Sequence, residues 1–385
     1  MNIVYFCPSE GMYGDNIALL RIMPHLMKYG VKPLFIVAYK GDFSKKLQEE
    51  GYSYIISNNR LWNLYDLSSP IKNFIIGCLW RIKKHYFNKR SVTIIARKIE
   101  GFHANLVHSN SSNSSFGFYL AKAIGVKHVW HLREYAKLDA NKQYFPSKSI
   151  FLKRLRSESN YTISITPLIS SYFQRMEKDK VIYDGVIDNS IAPMSIKEKE
   201  KQFLFVGRLF EKKGIKDVIT AFAKALNCNE DYCLCIVGDG NSDYKEYLVE
   251  LTKELDISQR VIFMGYRKDV TEIMNKSKAL IVASDFEAFG FITAEAMNAG
   301  CYVIGKNTAG TKLQMDNVRD VLGKECSSRF MSVEQLVEIM NNVMNGSIQT
   351  DANLLDIQQT VRNLYSTEKS AKEVYEYYKE ILNLL

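Results

Sequence analysis

Short apolar runs alternate with amphipathic stretches along most of this chain. Asn2–Cys7, Val31–Ala38, Asn105–Ser109 and Val126–His131 form one set of runs. Phe203–Val206, Leu234–Gly240, Arg260–Tyr266, Ala279–Ala283 and Cys301–Ile304 form a second. Runs of this length, apolar on both sides and bounded by turn residues, predict parallel strands covered on both faces. Between them the spacing changes to that of a helix. Ile17–Tyr29 places Ile17, Leu20 and Leu26 on one face, with Pro24 as an expected kink, and Ile215–Leu226 follows the same pattern. Phe291–Ala299 is a third such stretch, with Gly300 where a left-handed cap is expected, and Ser366–Leu385 is a fourth. Strand and helix alternate in both halves, so each half reads as a doubly wound α/β domain. No internal repeat is visible in the sequence.

Length allows this reading. The 385 residues, 46% of them hydrophobic, suffice for two cores of roughly 150–200 residues each. The formal charge of +9 is uneven: residues 1–192 carry 27 Lys+Arg against 14 Asp+Glu, and the remainder carries 24 against 28. A basic first half suits an anionic partner, and a solvated lysine-rich surface would look the same. The seven cysteines lie mostly within apolar runs at spacings that do not suit zinc, and they read as buried thiols in a reducing compartment. The start, MNIVYFCPSEG, lacks the basic segment of a signal peptide, and no run of about 18 apolar residues occurs. These features predict a cytoplasmic protein.

The stretch from Lys278 to Gly305 organises the candidate chemistry. It reads as strand, loop, helix and strand, and its loop lies at the carboxyl end of a strand, where open α/β sheets bind ligands. The N–H groups opening the Phe291 helix are a natural seat for phosphate. Two carboxylates, Glu287 and Glu295, bracket that seat. A carboxylate repels phosphate, so its expected task is to accept hydrogen bonds from sugar hydroxyls. Two solvated acids flanking a helix would give the same spacing. A second candidate loop follows Val206. There Arg208 and Lys213 stand five residues apart in a glycine-bounded loop before a helix, placed to converge on a diphosphate.

Glu287-x7-Glu295 with Phe289-Gly290-Phe291 between them resembles the signature of retaining glycosyltransferases of the GT-B fold, chiefly glycosyltransferase family 4. Arg208 and Lys213 match that family's second signature. The resemblance is specific over most of residues 203–312 and loose over the first half. It implies an α/β GT-B fold of two facing Rossmann-like domains across a deep cleft. The expected limits are 1–190 for the acceptor side and 191–366 for the donor side, with a helix at 367–385 crossing back. The charge run at 197–201 is expected to mark the boundary.

The resemblance also implies roles. Arg208, Lys213, Glu287 and His131 would be catalytic, with His131 at the end of its strand contacting the donor sugar. Gly14, Gly207, Tyr266, Arg267, Phe289, Gly290, Phe291, Ile292 and Glu295 would bind the donor. Where the family carries a Gly-Gly pair this chain has Tyr13-Gly14, so only Gly14 carries over, and a plain turn is the alternative. Thr308-Ala309-Gly310-Thr311 resembles the family's glycine-rich loop. The implied reaction moves a sugar from a UDP- or GDP-sugar to an acceptor hydroxyl with retention of configuration, in bacterial surface polysaccharide assembly. Glu287 would orient the sugar. No metal and no cofactor is expected, and no Asp-x-Asp occurs. A nucleotide-sugar 2-epimerase and a non-catalytic nucleotide-sugar-binding subunit are the rival readings.

Residues 71–98 are the most basic and amphipathic part. Phe74, Ile75, Ile76, Leu79 and Trp80 precede Arg81, Lys83, Lys84, Lys89 and Arg90, and Lys148, Lys153, Arg154 and Arg156 form a second cluster. This composition fits a helix lying on an anionic membrane surface, which would bring a lipid-linked or glycan acceptor within reach, and equally a core helix with a basic flank. No RNA-binding pattern is present, so no nucleic-acid partner is expected.

Overall fold

A computed structural model describes residues 1–58, 64–65, 88–135, 138, 142–144, 147–174, 177–226 and 231–384. Trp80 and most of its basic neighbours, Arg81, Lys83 and Lys84, lie outside the described residues, as do Cys78 and Cys228. The chain divides into two compact units, Met1–Gly185 with Thr367–Leu385, and Val186–Ser366.

The first unit is built on a parallel sheet. Its strands are β1 (Asn2–Cys7), β2 (Lys32–Val37), β3 (Tyr54–Ile56), β4 (Leu106–Ser109), β5 (Lys127–Leu132), β6 (Asn160–Ser164) and β7 (Asp179–Val181), in the order β3-β2-β1-β4-β5-β6-β7. Alternation along β1 shows why the run is apolar throughout. Ile3, Tyr5 and Cys7 pack with Leu19, Met23, Val374 and Tyr378 on one face, while Val4 and Phe6 pack with Phe116 and Leu120 on the other. The Thr367–Leu382 helix therefore completes this unit's core, through Ala371, Val374, Tyr377, Tyr378 and Ile381. Burying each large apolar side chain of that set contributes about 1.5–3 kcal/mol.

The second unit has β8 (Glu200–Val206), β9 (Cys233–Val237), β10 (Val261–Gly265), β11 (Ser277–Val282), β12 (Tyr302–Lys306) and β13 (Ser328–Phe330), in the order β10-β9-β8-β11-β12-β13. Phe203, Phe205, Leu234, Ile236, Ala279 and Ile281 face Val218, Ile219 and Phe222 of the Ile215–Leu226 helix, and Leu336 and Met340 of the Val333–Met344 helix. In both sheets the winding reverses direction beside the first strand, between β1 and β4 and between β8 and β11. Those two points are where an open sheet leaves a crevice at the carboxyl ends of its strands.

The division falls at Gly185 rather than at residue 190. The N–H groups of Val186 and Ile187 both donate to the Tyr365 carbonyl, at 2.9 and 3.1 Å, which ties them to the second unit. The charge run at 197–201 is not the boundary either. It lies inside the second unit, where Lys199 Nζ donates to the carbonyls of Asn275 and Gly300 at 2.5 and 2.6 Å. A flexible lysine stem lets a charged run be stitched into a fold. The helix Gly14–Lys28 continues through Pro24.

Candidate functional site

In the second unit the loops after β8 and β11 meet at the switch point. The Asp285 N–H donates to the Lys212 carbonyl at 3.3 Å, joining the two loops directly. Gly214 ends the short turn Glu211–Lys213 at φ +71°, and a Cβ there would stand 2.4 Å from the Ala283 carbonyl oxygen. Only glycine allows that approach. The consequence is that Lys213 Nζ lies 2.6 Å from Glu287 Oε1, with the two side chains 33% and 18% exposed. Arg208, on the same loop, is exposed.

The Ser284–Gly290 loop is held from behind. Buried Gln314 donates to the carbonyls of Phe289 and Gly290 at 2.6 and 2.9 Å, and the Gly310 N–H donates to the Glu287 carbonyl at 2.8 Å. A Cβ on Gly310 would sit 2.6 Å from the Phe289 carbonyl oxygen, so Gly310 acts as a close-fitting brace, in the first turn of the Ala309–Leu322 helix rather than in the expected glycine-rich loop. Phe289 is buried, its ring 5.4 Å from those of Phe291 and Tyr365, so only its backbone can face a ligand. The helix Phe291–Asn298 starts immediately after, with Ile292 and Glu295 half-buried in its first two turns. Lys306, at the end of β12, pairs with Asp285. Tyr266 and Arg267 follow β10, two strands from β8. Tyr266 is 76% exposed, and Arg267 is paired with Asp269 at 2.6 Å. Gly207 follows β8, and its N–H donates to the Val237 carbonyl.

The structure thus brings Gly207, Arg208, Lys213, Glu287, Phe289, Gly290, Phe291, Ile292 and Glu295 onto neighbouring strand ends of one sheet. Two cations, two carboxylates and a helix start arranged in this way suit a ligand that carries both a diphosphate and hydroxyl groups. Sequence reasoning missed Gln314 and Lys306. Gln314 sits one helical turn beyond Gly310, a signal legible only once the brace is known.

Gly14 and His131 belong to the other unit, whose switch point has a different character. Gly14 opens the Gly14–Lys28 helix behind exposed Tyr13. His131, near the end of β5, is 1% exposed. Its Nδ1 lies 3.1 Å from an Arg133 amine nitrogen and 3.3 Å from His108 Nε2, and Tyr378 Oη lies 2.7 Å from His108 Nδ1. A guanidinium only donates, so Nδ1 of His131 accepts and its Nε2 carries the proton. That Nε2 has no hydrogen-bond partner among the described residues.

Arg133 donates also to Asn110 Oδ1 at 3.1 Å and to Asp184, both members of the latter pair being buried. Burial, and then the Arg133 charge, push His108 and His131 well below the usual histidine range, so both are neutral near pH 7. Burial also raises the Asp184 carboxyl, against the opposing pull of Arg133. The polar loop at residues 110–115, which follows β4, is buried throughout. Glu134 accepts from Ser111 Oγ and the Ser112 N–H at 2.6 Å each, and from Ser112 Oγ at 2.8 Å.

Cys7, Cys235, Cys301 and Cys326 are buried free thiols and Cys233 is half-buried. Among the described residues no helix is long and apolar enough to cross a membrane, and no cluster of His, Cys, Asp and Glu could hold a metal ion.

Comparison with known proteins bears on both units. The family model for glycosyl transferases group 1 matches residues 186–377. The chain is 30% identical over 163 residues to an uncharacterized glycosyltransferase of Methanocaldococcus jannaschii, covering 38% of this chain and 41% of that one. It is 26% identical over 144 residues to the N-acetylgalactosamine-N,N'-diacetylbacillosaminyl-diphospho-undecaprenol 4-alpha-N-acetylgalactosaminyltransferase of Campylobacter jejuni, covering 37% of this chain and 38% of that one. It therefore spans about two fifths of the length of these relatives. Among solved structures it is similar to Anabaena HepE in complex with UDP, with a TM-score of 0.79 and 17% identity over 99% of this chain and 100% of that one.

Proposed function

Because residues 186–377 belong to the glycosyl transferases group 1 family and the whole chain has the GT-B fold, we propose that this protein transfers a sugar from a nucleoside diphosphate sugar to an acceptor hydroxyl. The observation that carries this reading is the convergence of Arg208, Lys213, Glu287 and the Phe291 helix start at one switch point. Breaking the anomeric bond leaves a nucleoside diphosphate, so the reaction needs groups that stabilise charge gathering on the leaving phosphate. Arg208 takes phosphate oxygens bidentately, Lys213 acts as a point charge, and the N–H groups near Phe291 complete the seat, without a metal ion. Glu295 accepts from the ribose hydroxyls, Glu287 orients the transferred sugar, and configuration is retained. Tyr266 and Arg267 supply backbone contacts to the base. A solved structure of similar fold with UDP bound supports a uridine donor.

The Campylobacter relative's name describes a diphospho-undecaprenol substrate, which supports a lipid-linked acceptor in surface polysaccharide assembly for this chain as well. A cytoplasmic protein held at the inner face of the membrane by its basic first half would meet such an acceptor. Lys89 and Arg90, both exposed, lie in the helical residues 88–98, next to the basic sequence that precedes them. Vesicle co-sedimentation checks this, comparing wild type with a variant carrying Gln at Lys83, Lys84, Lys89 and Arg90. Salt-sensitive pelleting with anionic vesicles, lost in the variant, is expected. Equal pelleting of the two ends the idea.

The reaction itself is tested by incubating the protein with UDP- and GDP-sugars alone and following the products by proton NMR. Slow release of free sugar, first as the anomer present in the donor, is expected. Epimerised nucleotide-sugar would replace this reading by an epimerase, and tight binding with no product by a binding subunit.

A further inference from the structure

The ion pair between Lys213 and Glu287 joins the two side chains assigned to different halves of the donor. It is no accident of flexible side chains on a surface. Both residues sit on braced backbone: Gly214 is packed against the Ala283 carbonyl, the Asp285 N–H is bonded to the Lys212 carbonyl, and the Glu287 carbonyl is bonded to the Gly310 N–H. The Lys213 Nζ to Glu287 Oε1 distance is 2.6 Å, with Lys213 one third exposed and Glu287 less than one fifth. Arg208, by contrast, forms no ion pair with a described residue.

We infer that Glu287 competes with phosphate for Lys213, and that this competition lets the site distinguish the intact donor from the diphosphate product. The inference rests on the donor-binding reading above and adds a specificity-determining role for Glu287 within it. A phosphate that takes Lys213 must displace the carboxylate or share the ammonium's three N–H donors with it, and either way the carboxylate is left partly desolvated beside another anion. Both effects weaken binding. When the ligand is a nucleoside diphosphate sugar, sugar hydroxyls donate to the released carboxylate and replace the lost hydrogen bond. When the ligand is the bare nucleoside diphosphate, nothing replaces it. The pair therefore lowers affinity for the product more than for the donor, which favours product departure after each turnover.

The test is calorimetric titration of the full chain with bare UDP, GDP and ADP, on wild type, Glu287→Gln, Lys213→Ala and the double variant. Gln keeps the shape of the side chain and removes its charge. Glu287→Gln should tighten the bare diphosphate roughly three- to tenfold. In the Lys213→Ala background the same change should move affinity less than twofold, because the competition has lost its object. Unchanged or weaker binding by Glu287→Gln, with wild type binding normally, overturns the inference and leaves the donor site intact. An equal gain in both backgrounds overturns it too, since the effect would then be general repulsion between Glu287 and phosphate. Wild type that binds none of the three diphosphates removes the transferase reading and this inference with it.

Discussion

The two switch points of this molecule have the same topology and opposite chemistry. Beside β8 and β11 the strand ends carry ionic side chains that reach solvent: Arg208 exposed, and Lys213 and Glu287 half-buried in a pair. Beside β1 and β4 the strand ends carry Asn110, Ser111, His108 and, from β5, His131. All are buried, most are hydrogen-bonded within the unit, and both histidines are neutral near pH 7. All six histidines of the chain fall in its first 131 residues. The comparison teaches that strand order fixes where a site can form, and that burial then decides whether polar residues there serve a ligand or the fold.

The largest effect expected from breaking this contrast is on stability, in the first unit. Arg133→Ala strips the partner from Asp184 in a pair whose side chains are each 3% exposed. Leaving a buried carboxylate uncompensated costs about 3–5 kcal/mol, and adding Asp184→Asn should recover a substantial part. Urea unfolding measures both. An Arg133→Ala variant as stable as wild type would show that this cluster is not structural.

The counterpart in the second unit should leave the fold alone and remove activity. Arg208→Ala and Lys213→Ala each should lower turnover by the equivalent of about 3–4 kcal/mol, more than they raise the apparent donor constant. The unfolding free energy of Arg208→Ala should stay within about 0.5 kcal/mol of wild type, as expected at an exposed position, whereas Lys213→Ala also removes the partner of Glu287. Steady-state kinetics with a nucleotide-sugar separates the two parameters. A change confined to the donor constant would assign both residues to ground-state binding.

Glu295→Ala is a smaller perturbation. Loss of charge-assisted hydrogen bonds to ribose should weaken a bare nucleoside diphosphate by roughly 1.5–3 kcal/mol. Calorimetry reads this directly, and unchanged affinity would remove Glu295 from the seat.

The smallest effect per group and per pH unit is on the pH dependence of stability, and it is expected from the first unit. His108, His128 and His131 are depressed by burial, His128 to about 4. Their neutral forms are favoured in the folded chain. Stability is therefore held above the unfolded histidine value near 6.5 and lost as pH falls below it. Each contributes a slope of about 1.4 kcal/mol per pH unit, for His128 down to about pH 4. Unfolding at pH 7.5, 6 and 5 checks this, and a flat profile would mean that these histidines titrate in the fold as they do in the unfolded chain.

Much of the second unit was legible in the sequence because its signals are local. The helix Ile215–Leu226 falls where the 3.6-residue spacing puts it, and the Ser284–Gly290 loop lies between a strand and a helix that the apolar pattern marks. What the spacing could not show is that Lys213 and Glu287, 74 residues apart, already hold each other. That contact depends on a close approach at Gly214 and on a brace from Gly310, both products of sheet order. The first unit was harder to read. Asn110–Ser115 has the composition of an exposed loop, and its burial follows from partners such as Glu134 that tertiary structure alone supplies. The run at 197–201 misled for the same reason, since Lys199 spends its charge on two backbone carbonyls.

Every role proposed for the second unit depends on the crevice beside β8 and β11 taking a nucleoside diphosphate through Arg208 and Lys213. The most direct measurement is a thermal-shift panel of UDP, GDP, ADP and CDP on wild type and on the Arg208→Ala/Lys213→Ala double variant. A ligand at about a hundred times its dissociation constant stabilises by about 2.7 kcal/mol, which corresponds to a rise of roughly 5 °C or more for a unit of this size. Such a rise is expected for at least one of the four with wild type, and its loss in the double variant. No rise with any of them, or the same rise in both proteins, would contradict it.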